Sequence, residues 1–158
     1  LENSHPLKYG FQAISSSRPR FIGEKNDLIS LMSANSKKSK ILMVEDNIFL
    51  RKLYRDKLTR AGFEFLEATN GVEGINKVLT EKPNLVILDL LLPIKNGFDV
   101  LSSIKSNPRT KSIPVIILSN LGQEIDIKEA LSLGAQDYLV KTEVRLSEVV
   151  NRIKKILV

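Results

Sequence analysis

The chain of 158 residues contains no cysteine. Disulfides and thiolate metal sites are therefore excluded, and a reducing cytoplasm is the compartment that this usage fits. Histidine is nearly missing too: the single one, His5, lies close to the start and reads as a tag or linker residue. From Lys40 onward there is none, so any imidazole chemistry must come from another protein. No apolar run approaches the roughly 18 residues that suggest a membrane span. The first apolar cluster is too short and too interrupted for a secretory signal. No internal repeat is present. No dense block of Lys or Arg occurs in the first 39 residues, and their aromatics (Tyr9, Phe11, Phe21) are scattered, so nucleic acid is a disfavoured partner.

A hydrophobic fraction of 42% and a charged fraction of 27% describe a globular chain with a real core. The net charge of +6 is uneven: up to Lys40, seven basic residues face three acids. A nearly balanced domain with a basic tail is a weak pointer to an acidic partner. Residues 1–39 carry Pro6, Pro19 and the run Ser15-Ser16-Ser17, and read as a linker or extension. The chain begins Leu1-Glu2 without methionine, so the expectation is a cut fragment or tag-cleaved product whose extension is partly engineered. Leu28, Ile29, Leu31 and Met32 sit at helical spacing behind Asp27, which predicts a short helix from Asp27 to Ala34.

From residue 40 to 158 the pattern is that of a folded domain. Ile41-Leu42-Met43-Val44 reads as a buried strand, and Asp46 or Asn47 caps a helix that Gly62 ends near Ala61. Strands follow at Phe65–Ala68, Leu85–Leu88, Pro114–Leu118 and Asp137–Val140. The helices between and after them are predicted at Gly71–Glu81, Phe98–Ser106, Asp126–Leu133 and Leu146–Leu157. Continuously apolar strands joined by crossover helices mean an α/β domain with a doubly wound parallel sheet buried on both faces.

In such sheets ligands sit at the carboxyl ends of the strands. Those ends carry Glu45 and Asp46, Asp89, Ser119 and Lys141. Two carboxylates about 4 Å apart repel by roughly 4 kcal/mol at an effective dielectric near 20. Three of them need a cation or a raised pKa. An all-oxygen ligand set selects a hard ion such as Mg²⁺, which favours phosphate as a further ligand. Lys141 and the Ser119 hydroxyl suit phosphoryl oxygens. Asp89 is then a nucleophile able to form an acyl phosphate.

The ordered set Val44-Glu45-Asp46-Asn47, Asp89-Leu90-Leu91-Leu92-Pro93 with Gly97 eight residues past Asp89, Leu118-Ser119, and Asp137-Tyr138-Leu139-Val140-Lys141 resembles the receiver domains of two-component response regulators. The likeness covers Lys40 to Val158 and implies a flavodoxin-like sheet of five strands in the order 2-1-3-4-5 with five flanking helices. It implies that Glu45, Asp46, Asp89 and the backbone carbonyl of Leu91 hold Mg²⁺. Asp89 would accept a phosphoryl group from a phosphohistidine on a sensor histidine kinase or phosphotransfer protein, with Ser119 and Lys141 holding that group. Tyr138 matches the aromatic position whose rotamer follows the serine hydroxyl, reshaping the surface of the fourth helix, fifth strand and fifth helix. Homodimers through that surface, or through the extension, are an expected assembly. The family commonly has a cis-proline after the lysine. Thr142 stands there, and a non-proline cis bond costs roughly 3–4 kcal/mol, so a trans bond is expected.

Each residue also has a plainer reading. Glu45-Asp46 alone marks a helix start, Asp89 before a Pro-Gly loop a turn, Lys141 a surface lysine, and Tyr138 strand packing. The first helix carries Arg51, Lys52, Arg55, Lys57 and Arg60 among Leu50, Leu53, Tyr54 and Leu58. It reads as an ordinary solvated face and as the candidate kinase-docking surface. Two other functions compete: a phosphoaspartate hydrolase of the haloacid dehalogenase type, which needs an acid where Leu91 stands, and a degenerate receiver that only docks partners.

Overall fold

The computed structural model describes residues 28, 29, 32 and 36–158. The chain divides into two units, Leu1–Ser36 and Lys37–Val158. In the first, Leu28, Ile29 and Met32 are helical with exposed side chains, and the rest of the helix expected at 27–34 lies outside the described residues. His5 lies outside them too.

In the second unit five strands alternate with five helices. They are β1 (Lys40–Val44), α1 (Ile48–Arg60), β2 (Glu64–Ala68), α2 (Gly71–Glu81), β3 (Leu85–Leu88), α3 (Gly97–Ser106), β4 (Val115–Ser119), α4 (Glu124–Ser132), β5 (Asp137–Val140) and α5 (Leu146–Ile156). All strand pairs are parallel, in the order β2-β1-β3-β4-β5. This is the doubly wound, flavodoxin-like order expected, and element ends differ from the sequence reading by at most two residues.

Alternation along the central strands builds two cores. Leu42, Val44, Val86, Leu88, Val115 and Ile117 face one side, where Val78 of α2, Val100 and Leu101 of α3 and Ala130 of α4 cover them. Ile41, Met43, Leu85, Ile87, Ile116 and Leu118 face the other, under Tyr54 and Leu58 of α1 and Val149, Val150 and Ile153 of α5. Both faces are dry, which is why these strands are continuously apolar.

Helix ends follow local chemistry. The side chains of Asn47, Asn70 and Asn96 cap α1, α2 and α3 by accepting first-turn N–H groups. Past α1, Gly62 takes φ +96, a left-handed backbone that glycine adopts without a Cβ penalty. Two residues with side chains do the same at a cost: Lys82 at φ 47 and Ile94 at φ 68. No peptide bond among the described residues is cis, so the Lys141–Thr142 bond is trans. No helix among them is long and apolar enough to cross a membrane.

Candidate functional site at the carboxyl edge of the sheet

The acids stand where two neighbouring strands run out. Glu45 follows β1, and its N–H still donates to the Ala68 carbonyl at 3.0 Å. Asp89 follows β3, and its N–H donates to the Val44 carbonyl at 3.1 Å. The ladder thus holds each backbone up to the residue that bears the acid. One carboxylate oxygen each from Glu45, Asp46 and Asp89 lies within 4.8 Å of the other two. Glu45 and Asp89 are buried, 1% and 5% exposed, while Asp46 faces solvent and leaves the cluster open on its side.

Lys141 arrives from the far edge of the sheet, one residue past β5. Its N–H donates to the Ser119 carbonyl at 2.9 Å, which continues the β4–β5 pairing. Its ammonium then donates to Glu45 Oε2 at 2.5 Å and to Asp89 Oδ2 at 2.8 Å. The other oxygens are also engaged: Asp89 Oδ1 accepts the Leu91 N–H at 3.1 Å, and Glu45 Oε1 accepts the Asn47 N–H at 3.0 Å.

Charge at this edge is not balanced. Burial pushes the Glu45 carboxyl above its ordinary pKa, and the Asp89 charge adds to that, against the opposing hydrogen bonds from Lys141 and the Asn47 N–H. Burial pulls the Lys141 ammonium down, but its hydrogen bonds to Asp89 and Glu45 outweigh burial and raise its pKa. One ammonium is therefore shared by more negative charge than it can neutralise. Three carboxylates against one lysine leave a surplus of two negative charges. An all-oxygen donor set with that surplus fits a hard divalent cation such as Mg²⁺.

Ser119 ends β4 fully buried, and its Oγ accepts the Leu121 N–H at 3.3 Å. Tyr138 of β5 is half-buried, and its hydroxyl donates to the Leu121 carbonyl at 2.6 Å. Burial pushes the Tyr138 phenol up to about 12, with the charges of Asp126 and Asp89 adding to it. Of the residues singled out from the sequence, Glu45, Asp46, Asp89 and Lys141 meet directly. Ser119 lies at the neighbouring strand end, and Tyr138 reaches the loop after β4. The Leu91 side chain is exposed while its N–H faces Asp89.

Arg51 requires a correction. It reads as part of a solvated face, yet it is 8% exposed and turned inward. Its Nη1 donates to the carbonyls of both Glu45 and Asp46, each at 2.8 Å. A signal was available in the sequence: the buried stripe of α1 is Arg51, Tyr54 and Leu58, spaced three and four apart, whereas Leu53 and Phe49 point outward.

The family profile described as response regulator receiver domain matches residues 41–154. The chain belongs to the response regulator receiver domain family. Members work in two-component phosphorelay signalling, interact with histidine kinases or phosphotransfer partners, and bind Mg²⁺ at an acidic pocket. The chain is 37% identical over 120 residues to the chemotaxis protein CheY of Thermotoga maritima, covering 73% of this chain and 98% of that protein. It is 39% identical over 118 residues to the probable transcriptional regulatory protein SilR of Salmonella typhimurium, covering 75% of this chain and 50% of SilR. It thus spans nearly all of the chemotaxis protein but about half of the transcriptional regulator. Among solved structures it is similar to a response regulator from Chloroflexus aurantiacus, with TM-score 0.71 and 30% identity over 77% of this chain and 98% of that one. It is also similar to the receiver domain of a signal transduction histidine kinase from Syntrophus aciditrophicus, with TM-score 0.69 and 28% identity over 75% and 89% of the two chains. Family membership displaces the dehalogenase-type alternative, and nothing supports the degenerate one.

Proposed function

We propose that Asp89 is the phosphoacceptor of this receiver domain and that the donor is a phosphohistidine on a sensor histidine kinase or phosphotransfer protein. A carboxylate oxygen of Asp89 attacks phosphorus in line, the N–P bond breaks, and the imidazole leaves as the aspartyl phosphate forms. The observation that carries this reading is the convergence of Glu45, Asp46 and Asp89 with Lys141 bridging two of them. Glu45, Asp46, Asp89 and the Leu91 carbonyl would hold Mg²⁺, which when bound neutralises the acids and draws charge from a phosphoryl oxygen. Lys141 exchanges its carboxylate contacts for the incoming phosphoryl group, and the Ser119 hydroxyl turns from Leu121 to donate to another phosphoryl oxygen.

Tyr138 shares Leu121 with Ser119, so movement of the serine hydroxyl biases the tyrosine and with it the α4–β5–α5 surface. Ile125 and Leu131 of α4, 69% and 47% exposed, give that surface apolar groups for a partner or a second copy. Residues 1–39 serve as linker or extension, residues 40–158 as the receiver, and the cytoplasm as its place of action.

The test is intact-mass measurement after incubation with acetyl phosphate and Mg²⁺, beside Asp89→Asn. One phosphoryl mass is expected on the wild type alone. Labelling without magnesium, or equal labelling of the variant, overturns the reading.

A further inference from the structure

Successive residues of a strand send their side chains to opposite faces. Glu45 and Asp46 are successive, yet their carboxylates converge on one point with Asp89. The backbone must therefore leave strand geometry at these two residues and stay turned. Their two carbonyls show how it is held, since both accept hydrogen bonds from the single Nη1 of Arg51, at 2.8 Å each. Arg51 itself is 8% exposed, so this contact is made largely out of solvent.

The charge that this places near a cation-attracting cluster is countered in part, by one carboxylate that two arginines share. Arg51 Nε lies 3.4 Å from Glu67 Oε2, and Arg55 Nη2 lies 2.6 Å from the same oxygen. The Glu67 carbonyl in turn accepts Lys77 Nζ of α2. Arg51 is thus hydrogen-bonded to the β1–α1 loop through two carbonyls and makes an ion pair, without a hydrogen bond, to Glu67 of β2. We propose that Arg51 is a positioning residue for the metal site: by fixing the turn at Glu45-Asp46 it presents both carboxylates to one cation. The inference rests on the magnesium reading above.

Two effects of removing Arg51 oppose each other, and their signs differ. A bare positive charge near the site would repel Mg²⁺, so its loss would tighten binding. A clamp on the backbone aligns ligands, so its loss would weaken binding. Pairing with Glu67 reduces the first effect and leaves the second. A guanidinium also keeps Nε beside Glu67 while Nη1 holds both carbonyls, which the single ammonium of a lysine on its more flexible stem does not do.

The experiment is calorimetric titration of the full chain with Mg²⁺ alone, with folding of each variant checked by circular dichroism and urea denaturation. Loss of an outer support of this kind typically lowers metal affinity about 10- to 100-fold. Arg51→Met is expected to weaken Mg²⁺ at least about 10-fold, with Arg51→Lys between it and the wild type. Arg55→Gln, which loses an ion pair to the same Glu67 without touching the loop, is expected to stay near the wild-type affinity. Should Arg51→Met not fold, Arg51→Lys decides alone. Unchanged or tighter Mg²⁺ binding in a folded Arg51 variant overturns the proposal, as does an equal loss in Arg55→Gln. If the wild type itself binds no Mg²⁺, or Asp46→Asn binds it equally well, the underlying metal reading fails instead.

Discussion

Tyr138 and Leu121 are joined by a hydrogen bond of 2.6 Å from the phenol to the backbone carbonyl, across 17 residues of sequence. The same Leu121 gives its N–H to Ser119 Oγ at 3.3 Å. One loop residue therefore bonds to both side chains, and through it the proposed coupling of serine to tyrosine would run. Tyr138→Phe removes only the phenolic end of this link. Its expected cost is about 1 kcal/mol in urea denaturation, with acetyl phosphate labelling of Asp89 within about twofold of wild type if the link lies downstream of chemistry. Chemical-shift changes at the β4–α4 loop and α4 on phosphorylation should shrink in the variant.

The same burial sets an alkaline limit. Tyr54 and Tyr138 are each pushed from 10 to about 12, in both cases mainly by burial. The folded state therefore favours the neutral phenols. Their contribution to stability is whole below pH 10 and is lost as pH climbs toward 12. Urea midpoints should fall through that window, and fall less steeply when both tyrosines are replaced by Phe.

Lys141 makes a second, opposite test. Lys141→Met leaves Glu45 and Asp89 buried without their shared counter-charge, which costs about 3 kcal/mol or more near neutral pH. The Glu45 carboxyl is already held above 4.5, so the folded state favours its protonated form, and the penalty shrinks as pH falls toward that value. Mg²⁺ at about 100 times its dissociation constant should restore about 2.7 kcal/mol. Urea curves with Mg²⁺ and with a chelator measure this, and a variant as stable as wild type under chelation would contradict it.

Gly97 packs directly against the backbone of Asp89, the proposed phosphoacceptor. A Cβ there would stand 2.2 Å from the Asp89 carbonyl oxygen and 2.5 Å from Leu90 Cα. Neither atom is the free end of a side chain, so the loop after β3 must shift. Gly97→Ala should cost about 3 kcal/mol and slow labelling of Asp89 even where the variant remains folded.

Ile94 offers the reverse case. It holds φ 68, a region that costs an L-residue about 1–2 kcal/mol, and its side chain is 80% exposed, so little packing offsets the strain. Ile94→Asn keeps a side chain that tolerates this backbone. It should raise stability by about 1 kcal/mol, read from the urea midpoint.

These residues also mark what the sequence made legible. The strands were readable because both sheet faces are covered, so Leu85-Val86-Ile87-Leu88 had to be apolar throughout. The acids were readable because each follows such a run. Arg51 was not, because its charge outweighed its position on the Tyr54–Leu58 stripe. Ile94 was hidden for another reason: isoleucine ordinarily argues against the left-handed backbone it adopts. The contact through Leu121 was beyond reach as well, since a backbone carbonyl leaves no mark in sequence.

The strand order divides the site's supports in two. Glu45 and Asp89 hang from β1 and β3, each bonded to strands on both sides, whereas Tyr138 and Lys141 belong to or follow β5, a border strand bonded to β4 alone. Amide hydrogen exchange should therefore be slowest under the acids and faster along 137–140, so the carboxylate proposed to react stays anchored while the border strand proposed to carry the signal yields.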